Sequence, residues 1–309
     1  MTDQTQSISS VAPAAKARAK APFNLSRLPD AMTGWLLSLP LALVLFFFLV
    51  LPIAMIVVVS FWGATEFSIY PAFQFDNYEF LLTSPVTYQV FFNTVKYALI
   101  TWAITLVIGF TVAYFLAFHV RTLTWQIVLF LLCTIPFWTS NIIRMISWIP
   151  FLGRNGIANS TLISMGVIDE PLDWLLFSDF SVILAFVHLY TLFMVVPIFN
   201  TMMRIDRSLI EAAYDNGATG LQTLTNVIIP LTKPGIMIGS IFVVTLVMGD
   251  FITVRFMSGS QKANVGRLIS NDIALLQYPS AAATAVILLI TVLLVISILL
   301  RFVDIRKEL

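Results

Sequence analysis

Residues 208–234 read SLIEAAYDNGATGLQTLTNVIIPLTKP and form the longest polar interval between the apolar segments of the second half of the chain. Ser208 followed by Glu211 fits a capping box, in which a hydroxyl and a carboxylate pair with backbone N–H groups that a helix start leaves free. The pattern predicts a short helix over 209–216. Gly217 then occupies the position of a left-handed residue that ends a helix, because a residue without Cβ enters that region at little steric cost.

A second short helix is predicted after this glycine. Thr219 and Gln222 repeat the capping pattern. Pro230 is expected to end the helix because proline cannot donate the next hydrogen bond. The apolar face between these ends repeats at offsets of three and seven and comprises Leu221, Leu224 and Ile228.

The composition of the whole chain is that of an integral membrane protein. Of its 309 residues, 59% are hydrophobic and 11% charged, and the mean hydropathy is +0.93, whereas soluble proteins carry roughly 25% charged residues. The net charge of +1 favours neither nucleic acid nor an acidic partner. Cys133 is the single cysteine, which excludes an intramolecular disulfide.

Hydropathy divides the chain into a tail and an all-α membrane domain. Residues 1–30 are rich in Ala, Ser and Gln and predict a flexible cytoplasmic N-terminal tail. Residues 31–309 predict one domain with six transmembrane helices, because each apolar segment is close to the ~20 residues that a span needs. These segments are 36–61, 90–118, 125–150, 180–203, 236–258 and 280–303.

The distribution of basic residues predicts the orientation. Six spans place both termini on one side of the membrane. With the N-terminus inside, eleven of the seventeen basic residues are cytoplasmic and three lie clearly outside: Arg154, Lys262 and Arg267. The eleven are Lys16, Arg18, Lys20, Arg27, Arg121, Arg204, Arg207, Lys233, Arg301, Arg306 and Lys307. Both termini and the 204–235 loop are therefore expected in the cytoplasm.

The polar stretch resembles a known motif. Glu211-Ala212-Ala213, Gly217 after three residues, and Val227-Ile228-Ile229-Pro230 after nine more resemble the EAA loop of binding-protein-dependent ABC importer permeases. Val227 and Ile229 replace the family's usual Ile and Leu and keep the apolar character. The sequences of segments 136–141, 155–156 and 229–235 resemble those of permeases of the spermidine/putrescine type. This similarity extends over most of residues 35–305.

The resemblance implies the type I ABC importer (MetI-like) permease fold in a bacterial inner membrane. It implies three partners: an ABC ATPase dimer, a second permease subunit that forms a heterodimer with this chain, and a periplasmic substrate-binding protein. The ATPase-coupling residues would be Glu211, Ala212, Ala213, Asp215, Gly217 and Pro230. No Gly-Lys pair of a P-loop occurs in the chain, so ATP and Mg²⁺ are expected on the ATPase, with no catalytic residue, cofactor or metal in this subunit.

Charged residues within the apolar segments point to a solute path, because such a residue costs roughly 3 kcal/mol at the centre of a membrane helix. Asp250 and Arg255 are five residues apart and face different directions on a helix, so Asp250 needs a counterpart elsewhere. Arg144, Lys96, the solute and the partner permease are open alternatives, and Lys96 and Arg255 are also candidates for snorkelling to the outer interface. The candidate path residues are Asp250, Arg144, Lys96, Trp138, Asn141 and Tyr190.

Several functions remain as alternatives. The resemblance favours a polyamine or related amine as the imported solute, whereas three cations beside a lone Asp250 fit a zwitterionic or anionic solute equally well. An ion-coupled secondary transporter would use Asp250 but leave the EAA spacing unexplained. An intramembrane aspartyl protease needs two membrane carboxylates, and only one lies in a span. A DNA-binding helix-turn-helix is opposed by Asp206, Glu211 and Asp215.

Overall fold

A computed structural model describes residues 30–65, 68–120 and 122–301, with side chains from residue 37 onward. The predicted N-terminal tail lies outside the described residues, except for Asp30, where the first helix begins. The chain divides into two compact units, Met1–Ala54 and Met55–Leu309.

The described part of the first unit is helical. It comprises α1 (Asp30–Leu45), a π-helical segment (Phe46–Val50) and the start of α2 (Leu51–Val59), and the unit boundary falls within α2. Leu37–Val59 forms a membrane span of 23 residues. Its apolar side chains are exposed, with Phe48 80% accessible, as expected for a helix that meets lipid.

The second unit continues with a short antiparallel hairpin, β1 (Gly63–Ala64) and β2 (Ile69–Tyr70), in which Gly63 pairs with Tyr70. The next helices are α3 (Asp76–Thr83), α4 (Pro85–Tyr114) with a π-helical end (Phe115–His119), α5 (Leu123–Thr134), α6 (Asn141–Leu152) and α7 (Ile157–Ser164). The remaining helices are α8 (Asp179–Met202), α9 (Arg207–Asp215), α10 (Gly220–Thr223), α11 (Ile229–Gly249), α12 (Phe251–Met257), α13 (Val265–Ala274) and α14 (Tyr278–Arg301). Short 3₁₀ turns cover Ile135–Trp138 and Asp173–Leu175.

The described residues contain five continuous spans and one broken one. The continuous spans are Leu37–Val59, Pro85–His119, Asp179–Met202, Gly220–Gly249 and Tyr278–Arg301. The predicted span over 125–150 is broken, because Leu123–Trp138 and Asn141–Ser164 meet at a bend of 86°. Pro136 lies in the 3₁₀ turn before the bend, and proline removes the donor that a continuous helix would need there. Counting the bent pair as one span gives the predicted six.

Three helices, α4, α8 and α11, form the centre of the second unit through close approaches at glycine. A Cβ on Gly109 of α4 or on Gly239 of α11 would each lie 2.7 Å from the Met194 side chain of α8. A Cβ on Gly235 would lie 2.5 Å from the carbonyl oxygen of Pro197. Small residues allow membrane helices to pack at this distance.

Hydrogen bonds add to the same contacts. The Trp102 indole donates to Ser240 Oγ at 2.8 Å and joins α4 to α11. The Ser181 hydroxyl donates to the Met257 carbonyl at 2.8 Å and joins α8 to α12. The helices α4, α8 and α11 therefore form a tightly packed frame that holds the side chains they carry.

Pro230 does not end a helix, contrary to the sequence prediction. Gly220–Gly249 is continuous, because the segment Leu224–Ile228 before the proline is π-helical and the Ile229 N–H donates to the Leu224 carbonyl, five residues back. The wider turn accommodates the missing donor and the ring of proline. Pro52 follows the π-helical segment Phe46–Val50 in the same way.

Candidate functional site

The EAA-like loop folds as two helices separated at Gly217, as predicted. Gly217 has φ +78°, in the left-handed region. The Gly217 N–H donates to the Tyr214 carbonyl at 2.8 Å and the Ala218 N–H to the Ala213 carbonyl at 3.0 Å, which are the two bonds of a Schellman motif. α10 then begins with the predicted capping box, in which Thr219 and Gln222 bond reciprocally.

The first helix of the loop begins earlier than predicted. Asp206 is its N-cap and accepts from the Ser208 N–H at 2.9 Å, so the predicted capping box of Ser208 with Glu211 is wrong. Asp is as good an N-cap as Ser, and it lies two residues nearer the preceding span. The bond from the Ser208 N–H also lowers the pKa of the Asp206 carboxyl.

α9 is presented to solvent and carries the predicted coupling residues. None of its residues is buried; Glu211, Ala212 and Asp215 are exposed and Ala213 is half-buried. A cavity of about 290 Å³ separates α9 from the end of α4 and is lined by Glu211, Arg207, Tyr214, Tyr114 and His119 among others. Pro230, the last predicted coupling residue, lies in the first turn of α11, away from the exposed helix.

Asp250 lies at a helix break rather than inside the predicted 236–258 span. α11 ends at Gly249, and Asp250 caps α12, where its Oδ1 accepts from the Thr253 N–H at 3.0 Å and its Oδ2 from the Thr253 hydroxyl. The Asn264 side chain donates to the Asp250 carbonyl oxygen at 2.8 Å. These bonds satisfy the backbone that the break frees, which a membrane interior requires.

The counterpart of Asp250 on another helix is a tyrosine. Tyr190 of α8 is buried, and its hydroxyl donates to Asp250 Oδ2 at 2.7 Å. Arg144 is close enough to Tyr190 to act on it electrostatically. Among the described residues, Asp250 forms no ion pair with Arg144, Lys96 or any other cation, so it is a half-buried carboxylate satisfied by neutral donors.

Lys96 has a different partner from the one considered in the sequence. Its ammonium lies 2.6 Å from Asp179 Oδ2, and the Tyr97 hydroxyl donates to Asp179 Oδ1 at 2.6 Å. The carboxylate, at the first turn of α8, thereby ties α8 to α4. Lys96 therefore forms an ion pair within the chain and is not an unpaired cation of the candidate path.

The remaining candidate path residues cluster at the bend between α5 and α6. Arg144 is 8% exposed, and its Nη2 donates to Asn141 Oδ1 at 2.5 Å and to the Thr139 carbonyl at 3.3 Å. Trp138 is 81% exposed and takes no part in these hydrogen bonds of Arg144. The structure therefore brings together Asp250 with Tyr190, and Arg144 with Asn141, as two neighbouring groups.

Three residues of the site were missed in the sequence: Thr253, Asn264 and the pairing role of Asp179. Asp250 after Gly249, with Thr253 three residues later, is a signal for a helix start. It was not recognised because the surrounding segment is apolar enough to be a single membrane span. The contacts of Asn264 and Asp179 join residues that are distant in the sequence, so a local sequence pattern does not predict them.

Residues 124–308 match the family described as binding-protein-dependent transport system inner membrane component. The chain belongs to this family. It is 36% identical over 264 residues to the spermidine/putrescine transport system permease protein PotB of Escherichia coli (strain K12), covering 84% of this chain and 90% of that one. The PotB protein of Haemophilus influenzae is 31% identical over 261 residues, covering 83% and 89%.

The fold has counterparts among solved structures of the same class. A chain of the bacterial alginate ABC transporter, crystallised with an alginate pentasaccharide-bound periplasmic protein, superposes with a TM-score of 0.68 over 90% of this chain and 97% of its own, at 16% identity. This importer permease is a multi-pass inner-membrane protein and is not itself an enzyme. Membership of the family favours the importer over the secondary transporter and the protease considered above.

Proposed function

We propose that this permease carries a polyamine or a closely related amine into the cytoplasm. The support is the identity to the PotB proteins over most of the chain, and one feature of the site carries the proposal: the Asp250 carboxylate has no cationic partner among the described residues. A carboxylate held by neutral donors keeps its negative charge available for an ammonium group. Tyr190 beside it offers an aromatic ring that also attracts cations.

Fewer unpaired cations remain near Asp250 in the structure than the sequence indicates. The sequence has three candidate cations in or near the spans: Lys96, Arg144 and Arg255. Lys96 is paired with Asp179 at 2.6 Å, and Arg255 is exposed in the last turn of α12. Arg144 alone is left as a buried cation near the carboxylate, and the zwitterionic and anionic alternatives lose most of their support.

The partners follow from the proposed class. ATP and Mg²⁺ would be bound by a separate ATPase dimer, a second permease would complete the path, and a periplasmic binding protein would deliver the amine. The α9 helix, exposed and ended by a fixed Schellman turn, is the surface that we propose docks on the ATPase. Residues Glu211, Ala212, Ala213 and Asp215 would lie at that contact.

Orientation is a separate expectation. Eleven basic residues on the side of the N-terminus against three on the other side support a cytoplasmic position of both termini and of 204–235. Reporter fusions after residue 309 and within 204–235 should therefore give cytoplasmic signals, and a fusion within 155–172 should give an external one. An external signal from 204–235 would invert the proposed topology and remove α9 from the ATPase.

Uptake by the assembled importer tests the solute class. The chain is co-expressed with its neighbouring transport genes in cells that lack their own polyamine uptake, and accumulation of labelled spermidine and putrescine is measured. We expect uptake that unlabelled polyamines compete with and amino acids do not. Competition by amino acids or organic anions, with no polyamine accumulation, would support the zwitterionic or anionic solute instead.

A further inference from the structure

A cavity of about 390 Å³ opens at the bend between α5 and α6 and is not part of the Asp250 group. It is lined by Thr139, by side chains of α6 and by His188 of α8; those of α6 are Ile143, Arg144, Ser147, Trp148 and Phe151. A smaller cavity of about 180 Å³ is lined by the same Arg144 and His188. Within the part of the chain that the structure describes, no acidic residue lines either cavity.

Arg144 is an uncompensated cation in this cavity. It is more than nine-tenths buried, and its hydrogen bonds among the described residues go to neutral oxygens of Asn141 and Thr139. Its Nε has no acceptor there, and it forms no ion pair within the described part of the chain. A buried charge without a counter-ion is costly, so the site favours an anion.

His188 adds a second donor. The Trp148 indole donates to His188 Nδ1 at 3.0 Å. Because an indole N–H can only donate, Nδ1 is the unprotonated nitrogen and the imidazole carries its proton on Nε2. His188 therefore has an N–H donor free of the Trp148 bond, and it lines both cavities together with Arg144.

The walls indicate which anion. A guanidinium recognises planar carboxylates and phosphates, and phosphate is the one that a bilayer supplies. Ile143, 61% exposed, and Phe151, 40% exposed, form an apolar rim where acyl chains could lie. Trp148 is of the type found at the level of lipid headgroups.

We propose that this cavity binds a phosphate group through Arg144 and His188, from a phospholipid headgroup or from inorganic phosphate. The site is independent of the imported solute. It gives Arg144 a role that a polycation path does not provide.

The test uses the full-length chain purified with its co-expressed partner subunits and stripped of lipid in a maltoside detergent. Short-chain phosphatidylglycerol is titrated and the melting temperature is recorded. We expect the wild type to be stabilised and Arg144→Gln to need at least about tenfold more lipid for the same shift, because a charged hydrogen-bonding partner is lost. Arg144→Lys, which keeps the charge but not the planar fork, should fall between them.

Arg255→Gln is the matched control, since it removes an exposed arginine that lines neither cavity, and it should respond like the wild type. Inorganic phosphate alone separates the sources: stabilisation equal to that by the lipid assigns free phosphate, and stabilisation only by the lipid assigns the headgroup. Short-chain diacylglycerol lacks phosphate and should not stabilise.

Two results would overturn the proposal. One is an equal response of Arg144→Gln and the wild type to both phosphatidylglycerol and phosphate. The other is stabilisation by diacylglycerol as strong as by phosphatidylglycerol, which would make the cavity a purely apolar groove. If Arg144→Gln does not assemble, His188→Gln is tested in its place. An unchanged response of that variant to phosphatidylglycerol would contradict a site with two donors.

Discussion

Replacing Asp250 with asparagine is expected to reduce solute uptake about 10- to 150-fold while the importer still assembles, because a hydrogen bond to a charged group is worth roughly 1.5–3 kcal/mol. Asparagine is also a good N-cap. Its amide oxygen can accept from the Thr253 N–H as the carboxylate does at 3.0 Å. Its amide N–H groups can donate to the hydroxyl oxygens of Tyr190 and Thr253, which in the wild type donate to the carboxylate. The substitution therefore removes the charge and reverses these two bonds.

Uptake of labelled spermidine and the ATPase rate with loaded binding protein are the measurements. Asp179→Asn is the matched control, because that carboxylate is bonded to Lys96 and Tyr97 within the chain. We expect Asp179→Asn to lower the melting temperature, and Asp250→Asn to leave it nearly unchanged. Uptake at the wild-type rate by Asp250→Asn would contradict a contact of the Asp250 charge with the solute and would leave the residue only its role as a helix cap.

The second large effect is expected at Gly217. A Cβ there would meet nothing within 4 Å, so the penalty of Gly217→Leu comes from the backbone, about 1–2 kcal/mol for a side chain in the left-handed region. That cost falls on the turn that fixes α9 relative to α10. We expect normal membrane levels but a loss of uptake of about tenfold or more, with ATP hydrolysis no longer stimulated by loaded binding protein.

Gly166 provides the control for this prediction. It has φ +68° and also faces open space, so Gly166→Leu carries the same backbone penalty at the end of α7. Only the Gly217 variant should lose coupling between ATP hydrolysis and uptake. Equal losses in both variants, or normal coupled uptake in Gly217→Leu, would refute the assignment of α9 as the docking helix.

Local rules predicted the parts of the loop that local bonds determine. Gly217 and the box of Thr219 with Gln222 were readable because their bonding partners lie within a few residues. The Asp206 cap was missed because two adjacent sites, Asp206 and Ser208, offered similar side-chain acceptors. Hydropathy likewise located the spans, since crossing a bilayer requires a length that is visible in the sequence.

The helix breaks and the hydrogen-bond partners that are distant in the sequence could not be predicted by local rules. A proline predicts a helix end, but a π-helical segment before Pro230 lets the helix continue, whereas at Pro136 the chain bends by 86°. The pairs Tyr190 with Asp250 and Lys96 with Asp179 join residues 60 and 83 positions apart. They depend on how α4, α8 and α11 pack, which no window of sequence contains.

The continuity of Gly220–Gly249 through Pro230 has a mechanical consequence. Thirty residues without a break make a rod roughly 45 Å long at ~1.5 Å per residue. The Schellman turn and α9 stand at one end of this lever, and Asp250 follows directly at the other. A tilt of about 5° around one end displaces the other by about 4 Å over that length, more than the span of a hydrogen bond. A small rotation at the α9 end would thus separate Asp250 from Tyr190 of a stationary α8, because the continuous helix Gly220–Gly249 transmits the motion.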